Sequence, residues 1–263
     1  MDSEPVVAKS WSNALELLYV DSWRDDLRRY RSRIAFRGLS DSSYSLKTSL
    51  IRLDGPFQSL ERHLLRNFAK YARLDDTEQG ESDWRWLTLG QHHGLPTRLL
   101  DWTYSPFAAL HFCTSNLNNY DRDGVIWCVD YTKAHDLLPD ELREQKKRTG
   151  SDVFSLKMLE QAAPDLDSFD GLMKEPFAVF FEPPSWDDRI VNQFALFSVL
   201  SDSTLPFDEW LSHGQVPYRL VHIPAQIKWE IRDKLDQANM SERVFFPGLD
   251  GLAAWLRRHY SSR

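Results

Sequence analysis

Gln91-His92-His93-Gly94-Leu95-Pro96-Thr97-Arg98-Leu99-Leu100-Asp101-Trp102-Thr103-Tyr104-Ser105-Pro106-Phe107-Ala108-Ala109-Leu110-His111-Phe112 is the stretch that decides how the chain folds. The residues before it, Trp84-Arg85-Trp86-Leu87-Thr88-Leu89-Gly90, read as a short helix with Ser82 or Asp83 at its N-cap, and Gly94 supplies the left-handed residue that ends it. Pro96 forbids continuation. Thr97–Trp102 mixes apolar and charged residues as a strand with one wet face does. Ser105-Pro106 then starts a new helix: a hydroxyl stands at the N-cap, and proline follows at the one position where a missing N–H costs nothing. Arg98 and Asp101 thus belong to a strand between two helix ends, and the helix N-terminus beside them is electrostatically ready for an anion. Three residues apart on a strand, they project to opposite faces, so each needs a different partner.

Upstream, Ile34-Ala35-Phe36-Arg37-Gly38-Leu39 reads as a strand, and Ser40-Asp41-Ser42-Ser43 as a turn that leads on to Arg52. An arginine just before glycine at a strand end presents a planar fork beside accessible backbone, which suits phosphate or carboxylate. An internal salt bridge between Arg37 and Asp101 is the competing reading. Residues 10–30 have the spacing of two amphipathic helices, carried by Trp11, Leu15 and Leu18, then Trp23, Leu27 and Tyr30. The arginines at 28, 29, 31 and 33 fit a nucleic-acid contact or a helix C-terminus that complements its own dipole. Residues 58–73 form a basic amphipathic helix, and the acidic loop Asp75-Asp76-Thr77-Glu78 follows.

Downstream, Val125–Tyr131 is a buried strand, residues 136–170 a helical or partly mobile insertion, and Phe177–Phe181 a further strand left by way of Glu182-Pro183-Pro184. Asp188–Leu200 carries Arg189 and Gln193 into an apolar run, and Tyr218–Ile223 is another strand. Pro224 opens the helix Ala225–Gln237, and Leu252–Tyr260 closes the chain.

The 263 residues are enough for one large core, and no Pro/Gly/Ser-rich linker divides them, so the expectation is a single α+β domain with a helical lead-in over residues 1–29. A net charge of −7 argues against binding nucleic acid by bulk electrostatics. Two cysteines, Cys113 and Cys128, without CxxC spacing suit buried thiols in a reducing compartment and argue against a structural zinc site. Met1-Asp2-Ser3-Glu4-Pro5 lacks the signal-peptide pattern and no apolar run reaches membrane-span length, so a cytoplasmic location with no membrane partner is expected.

Phe36-Arg37-Gly38, then Leu46, Ser49 and Arg52, the block Gln91–Thr103, Ser105-Pro106, Ala109-Leu110, Arg189-Ile190 with Gln193 and Phe197, and Phe246-Pro247-Gly248-Leu249-Asp250-Gly251 together resemble the FRG domain family over most of residues 30–258. Ala195 stands where the family pattern has glycine. More distantly, an arginine-glycine at a strand end, a second strand running into an Ala-Leu-x-Phe helix, and a later third motif resemble the three-part layout of mono-ADP-ribosyltransferases. That resemblance implies a twisted, mostly antiparallel central sheet flanked by helices, with NAD as substrate and no metal. It further implies a protein or nucleic-acid acceptor, a regulatory protein partner, and the setting of a toxin or an antiviral defence component.

Carried onto this sequence, the likeness assigns NAD contacts to Arg37, Gly38, Arg52, Arg98, Trp102 and Thr103, with Trp102 stacking near nicotinamide. It assigns the chemistry to His92, His93, Asp101 and Gln193. Gln193 occupies the place of a transition-state glutamate; glutamine orients a hydroxyl but supplies no charge. Asp101, Glu182 or Asp187-Asp188 could supply that charge, and His92 or His93 could act as general base. Two other readings stand beside this one. The first is a non-catalytic module that binds nucleotide or nucleic acid. The second is metal-dependent hydrolysis through His92, His93 and Asp101, which is disfavoured because adjacent helical residues point about 100° apart.

Overall fold

The computed structural model describes residues 6–54, 59–72 and 82–261. From the amino end, β1 (Val6–Val7) leads into α1 (Trp11–Leu18), the hairpin strands β2 (Trp23–Arg24) and β3 (Arg29–Tyr30), and β4 (Ile34–Leu39). Helices α2 (Glu61–Tyr71) and α3 (Asp83–His92) precede β5 (Leu99–Thr103), α4 (Pro106–Thr114) and β6 (Gly124–Asp130). Next come α5 (Tyr131–His135), α6 (Asp140–Thr149), β7 (Phe154–Ser155), α7 (Leu156–Ala162) and α8 (Leu166–Asp170). Then β8 (Ala178–Glu182), α9 (Asp188–Asn192), β9 (Ala195–Leu200), α10 (Phe207–Ser212) and β10 (Tyr218–Ile223) alternate, before α11 (Ala225–Gln237), α12 (Glu242–Phe245) and α13 (Leu249–His259) finish the chain. Among the described residues no helix is long and apolar enough to cross a membrane.

Eight strands make one mixed sheet in the order β1-β10-β6-β4-β5-β9-β8-β7, antiparallel except where β1 joins β10 and β7 joins β8 at the two edges. The pairing is uneven. β4 is zipped to β6 from Ile34 to Leu39, and β5 to β9 from Leu99 to Thr103. Between β4 and β5 only Phe36 and Thr103 pair, so the sheet is two half-sheets that splay apart at its middle.

Side-chain alternation then decides what covers each face. Ala35, Leu100, Trp102, Trp127 and Phe180 point to one face and pack with α5 and α10 through Tyr131, Phe207 and Trp210. The opposite face carries two separate helix groups. Phe36, Ile126 and Cys128 pack against α1, α4 and α11, whereas Leu99, Val179 and Phe197 pack against α3 and α6–α8. The gap between those groups lies over the splay.

Local chemistry explains the elements that frame the gap. Ser82 caps α3 by accepting from the Arg85 amide, and Gly94 takes φ 81° just after it. Ser105 caps α4 by accepting from the Ala108 amide, with Pro106 in the first turn. A Cβ on Gly38 would stand 1.9 Å from the Ala109 carbonyl, so glycine is what lets α4 press onto β4.

At the C-terminal end, a buried charge cluster ties helices together. Arg258 of α13 donates to Glu242 at 2.6 and 2.8 Å and to Asp236 at 2.7 and 2.8 Å, joining α11, α12 and α13. Arg232 of α11 reaches α4 by donating to His111 Nδ1 at 2.8 Å. Burial, with the Arg232 cation beside it, drives the His111 pKa down to about 3, so this imidazole is neutral and accepts. Through α12 the cluster fixes α9: the Asn192 and Gln193 side-chain amides donate to the Val244 and Phe245 carbonyls, each at 2.9 Å.

The structure corrects three sequence expectations and settles a fourth in favour of one alternative. Residues 23–30 are a hairpin, not a helix, because Asp21 and Arg28 take φ of 62° and 48°, which a helix excludes; Trp23 and Tyr30 meet edge-on across the hairpin instead. The arginines at 28, 29, 31 and 33 therefore cap no helix and are exposed. Residues 136–170 take the helical alternative as α6–α8, and Leu142, Phe154, Leu159, Leu166 and Phe169 fill the core under α3. The strand through 99–103 has no wet face: it is central, and Asp101 alone in it is exposed. The acidic loop Asp75–Glu78 and both ends of the 58–73 segment lie outside the described residues, and the helix within that segment runs from Glu61 to Tyr71.

Two measurements check this packing. Gly38→Ala forces a methyl into backbone, so the urea midpoint should fall by the equivalent of at least about 1–3 kcal/mol. Burial pushes the Glu242 carboxyl up, but the Arg258 hydrogen bonds and Arg232 outweigh it and hold its pKa at about 2, below the usual 4.5. A depressed carboxylate stabilises the fold above its unfolded pKa and loses that contribution as pH falls towards the folded value. Stability should therefore drop between about pH 5 and pH 2 in the natural chain, and the same limb should be shallower in Glu242→Gln, read by urea titrations at stepped pH.

Candidate functional site

The splay between β4 and β5 opens into a cavity of ≈ 340 Å³. Its walls come from separate parts of the chain: β4 and the turn after it, the end of α3, the middle of β5, α4, α9 and the start of β9. Aromatic and aliphatic groups line it at Phe36, Leu39, Phe112, Ile190 and Phe197, and polar groups converge at Arg37, Gln91, His92, Asp101, Arg189 and Gln193. A mostly apolar wall with a few convergent polar groups is the usual make-up of a small-molecule site, and the volume sits at the lower end of the roughly 300–1,000 Å³ range for such sites.

Arg37 spans the splay. Its guanidinium donates to the Asp101 backbone carbonyl, where continued β-pairing would have placed an amide, and Nη1 stands 3.9 Å from the Asp101 carboxylate. Its Nε has no partner and is buried. Burial and the nearby Arg52 charge push the Arg37 pKa down, and Asp101 offsets part of this. The Asp101 carboxylate accepts from Gln91 Nε2 at 2.9 Å and is still 61% exposed, so it is available to a ligand.

A second pair closes the α3 side. His92 Nε2 lies 2.6 Å from Asp187, the N-cap of α9, whose carboxylate also accepts from the Ile190 amide at 3.0 Å. Burial raises the Asp187 pKa, but the Ile190 amide and His92 prevail and hold it below the usual carboxylate range. Arg189 sits over the Phe246 ring at 5.1 Å from its centroid, with its guanidinium 3.5 Å from the His92 carbonyl. At the far wall, the Tyr44 hydroxyl accepts from Asn119 at 3.2 Å, and buried Lys228 donates to the Ser40 and Asn119 carbonyls, each at 2.7 Å.

Of the residues expected from the sequence, Arg37, Gly38, His92, Asp101, Trp102, Thr103 and Gln193 border the cavity. Several of these are committed elsewhere. The Trp102 indole points to the opposite sheet face, donating to Ser198 Oγ at 2.8 Å and packing on Phe180 and Phe207, so it cannot stack on a ligand in the cavity. Thr103 Oγ1 donates to the Gln193 carbonyl at 2.7 Å and accepts from the Ser105 amide at 3.0 Å, joining β5 to α9. Gly38 is explained by α4.

Three expected residues lie away from the cavity. His93 is exposed at the C-cap of α3. Arg52 is exposed on a 3₁₀ turn over Ile51–Leu53. Arg98, with a side chain 4% exposed, is bidentate to Glu61 of α2 at 2.6–3.0 Å and bonds Asp170 of α8 at 2.5 and 3.1 Å. Burial pulls its pKa down, but the two carboxylates more than compensate and raise it. Among the described residues no group of three His, Cys, Asp or Glu side chains is placed to hold a metal ion.

Gln91, Arg189, Tyr44, Phe112 and Phe197 complete the cavity without having been singled out as site residues. For Arg189 a signal existed, since it stands four residues before Gln193 on the same short helical turn. Tyr44 carried none, because a partner 75 residues away orients it.

Chemically, the cavity offers two guanidinium groups for an anion, one reachable carboxylate beside the first of them, an imidazole already paired to an aspartate, and a carboxamide. The FRG domain model matches residues 32–122, which include β4, the Arg37-Gly38 pair and the whole 91–112 stretch. No curated protein and no solved structure matches the chain.

The structural role of Arg98 is testable. Arg98→Met leaves Glu61 buried without its cation and should cost about 3–5 kcal/mol. Arg98→Met combined with Glu61→Leu should recover most of that loss, read by urea denaturation. A single variant as stable as the natural chain would remove the triad from the account.

Proposed function

We propose that the cavity between β4 and β5 binds a nucleotide, with NAD as the ligand and transfer of ADP-ribose to a protein or nucleic acid as the reaction. The observation that carries this reading is the juxtaposition in one cleft of the exposed Asp101 carboxylate with Arg37 and Arg189. Three further features support it. The strand-end Arg37-Gly38, the β5-to-α4 block and the Gln193 motif are far apart in sequence and converge on this cleft, as the three-part transferase layout requires. The volume accepts one nucleoside-sized half of a dinucleotide, with the rest at the mouth. The match to the FRG domain model covers two of the three motifs.

In this reading the bond between ribose C1′ and the nicotinamide nitrogen breaks, its electron pair leaves with nicotinamide, and positive charge develops on the ribose. Asp101 supplies the opposing charge that Gln193 lacks. Gln193 Nε2 is committed to Phe245, which leaves its carbonyl oxygen to accept from a ribose hydroxyl. Arg189, whose contacts are the Phe246 ring and a long approach to the His92 carbonyl, is the guanidinium able to turn to a phosphate. The acceptor attacks C1′ and passes its proton to His92, oriented for that task by Asp187. The cellular setting that fits is a toxin or an antiviral defence component under control of a protein partner.

A second reading has its own support. Asp101 is already engaged by Gln91, and no glutamate stands at the third motif, so the cleft could hold a nucleotide without cleaving it.

Labelled NAD incubated with the protein and a cell lysate separates the two. The transferase reading expects nicotinamide release and label on a macromolecule, with Asp101→Asn lowering the rate by roughly 10²–10³-fold while NAD affinity stays within a few-fold. Binding with no release in the natural chain would establish the second reading, and absence of binding would overturn both.

A further inference from the structure

The last helix is inside out. An amphipathic helix normally buries its leucines and exposes its charges, yet α13 buries Gly251 and Arg258 and exposes Leu249 (81%), Leu252 (38%), Leu256 (38%) and Tyr260 (81%). The inversion has two causes in the fold. Arg258 is drawn inward by Glu242 and Asp236. Gly251 lies so close to the Phe246 and Glu242 carbonyls that a Cβ would stand 1.8 Å from the first, which fixes that side of the helix against α12.

At about 100° per residue, Leu249, Leu252, Ala253, Leu256 and Tyr260 fall within an arc of roughly 100°, and Gly251 and Arg258 lie diametrically opposite. The apolar stripe therefore lies on the face turned away from α12, wide open at Leu249 and Tyr260 and more than a third exposed at Leu252 and Leu256. Scattered exposed leucines need no explanation, but a continuous stripe at helical spacing marks a surface that is covered by something.

The charges beside the stripe identify the cover. Asp250 and Arg257 are both exposed and, seven residues apart, lie on the same flank of the stripe. If a second α13 packs antiparallel across a two-fold axis, the same flanks of the two helices meet with their directions reversed. Asp250 of each copy then faces Arg257 of the other, and the axis passes level with the peptide between residues 253 and 254, where Ala253 on the stripe is small enough for close approach. In a parallel pair the two-fold runs along the helices, so the Asp250–Arg257 flank of each copy meets the other flank of its partner, which carries Trp255 and His259 and no carboxylate or arginine. The stripe and its flanking charges are thus self-complementary in one orientation only, the property an isologous interface needs.

We infer that α13 is a self-association surface through which two copies of this chain pair, helix against antiparallel helix. One helix face is smaller than the roughly 800 Å² per partner of a standard stable interface, so the dimer should be weak and concentration-dependent. α12, which holds α13, also accepts the Gln193 amide, so pairing at α13 bears on an element one hydrogen bond from the cavity.

Sedimentation equilibrium of the full chain over about 1–300 µM tests the inference. A monomer–dimer equilibrium is expected, abolished by Leu256→Glu, with a thermal melt in dilute solution, where both proteins are monomeric, confirming that the variant is folded. Orientation is read separately. Both native cysteines are buried, so in Ala253→Cys the introduced thiol is the accessible one, and it should form an intermolecular disulfide under mild oxidation while Asp233→Cys, on α11, should not. A monomer at every concentration would overturn the inference. So would a dimer indifferent to Leu256→Glu, or a monomer that binds anionic lipid vesicles through this stripe.

Discussion

A single side chain stands in for a missing stretch of β-ladder. Arg37 leaves β4 and donates to the backbone carbonyl of Asp101 on β5, where those strands otherwise share only the Phe36–Thr103 pair. If the ladder continued, the two half-sheets would close and there would be no cavity. If nothing bridged them, the Asp101 carbonyl and the inner edges of both strands would be left without partners, at a cost that folded proteins rarely bear. Guanidinium solves both problems: it is long and planar enough to cross the gap, and it brings a positive charge into the cleft that results.

The surrounding structure is arranged to keep that gap open. Gly38 lets α4 settle onto β4, and the Arg98–Glu61–Asp170 triad pins the start of β5 to α2 and α8, so each half-sheet is anchored to its own helices. The His92–Asp187 pair and the Gln193–Phe245 hydrogen bond then tie α9 across the opening from both sides. Several arginines take part, and their roles separate by burial and partner: Arg98, Arg232 and Arg258 are enclosed by carboxylates, an imidazole or carbonyls, whereas Arg37 and Arg189 face the cavity.

Much of this architecture was readable in the sequence, and the limits follow from range. Ser105-Pro106 and Gly94 act on residues within a turn of themselves, so the helix ends they specify are where the sequence places them. Arg98 looks like a ligand-binding arginine locally because Glu61 and Asp170, the groups that claim it, lie 37 and 72 residues away. Trp102 was a different matter, since alternation on a strand puts it on the face opposite Asp101, and that face is core. Residues 23–30 misled because Trp23, Leu27 and Tyr30 at spacings of four and three mimic a helix, while the left-handed Asp21 and Arg28 leave no sequence mark as plain as glycine does. The site was legible as one motif at 91–112, one arginine at 37 and the later motif that carries Arg189, Gln193 and Phe197; the wall at Tyr44 is set by a tertiary contact that no local pattern encodes.

Nucleotide binding at the splay between β4 and β5, held by Arg37, is a proposal that a bound ligand decides. A crystal structure determined with NAD at saturating concentration tests it most directly. A nucleotide site there requires density for the dinucleotide between Arg37 and the 91–103 segment, with a phosphate on Arg189 and a ribose facing Asp101. An empty cleft, or NAD bound elsewhere on the molecule, would contradict it.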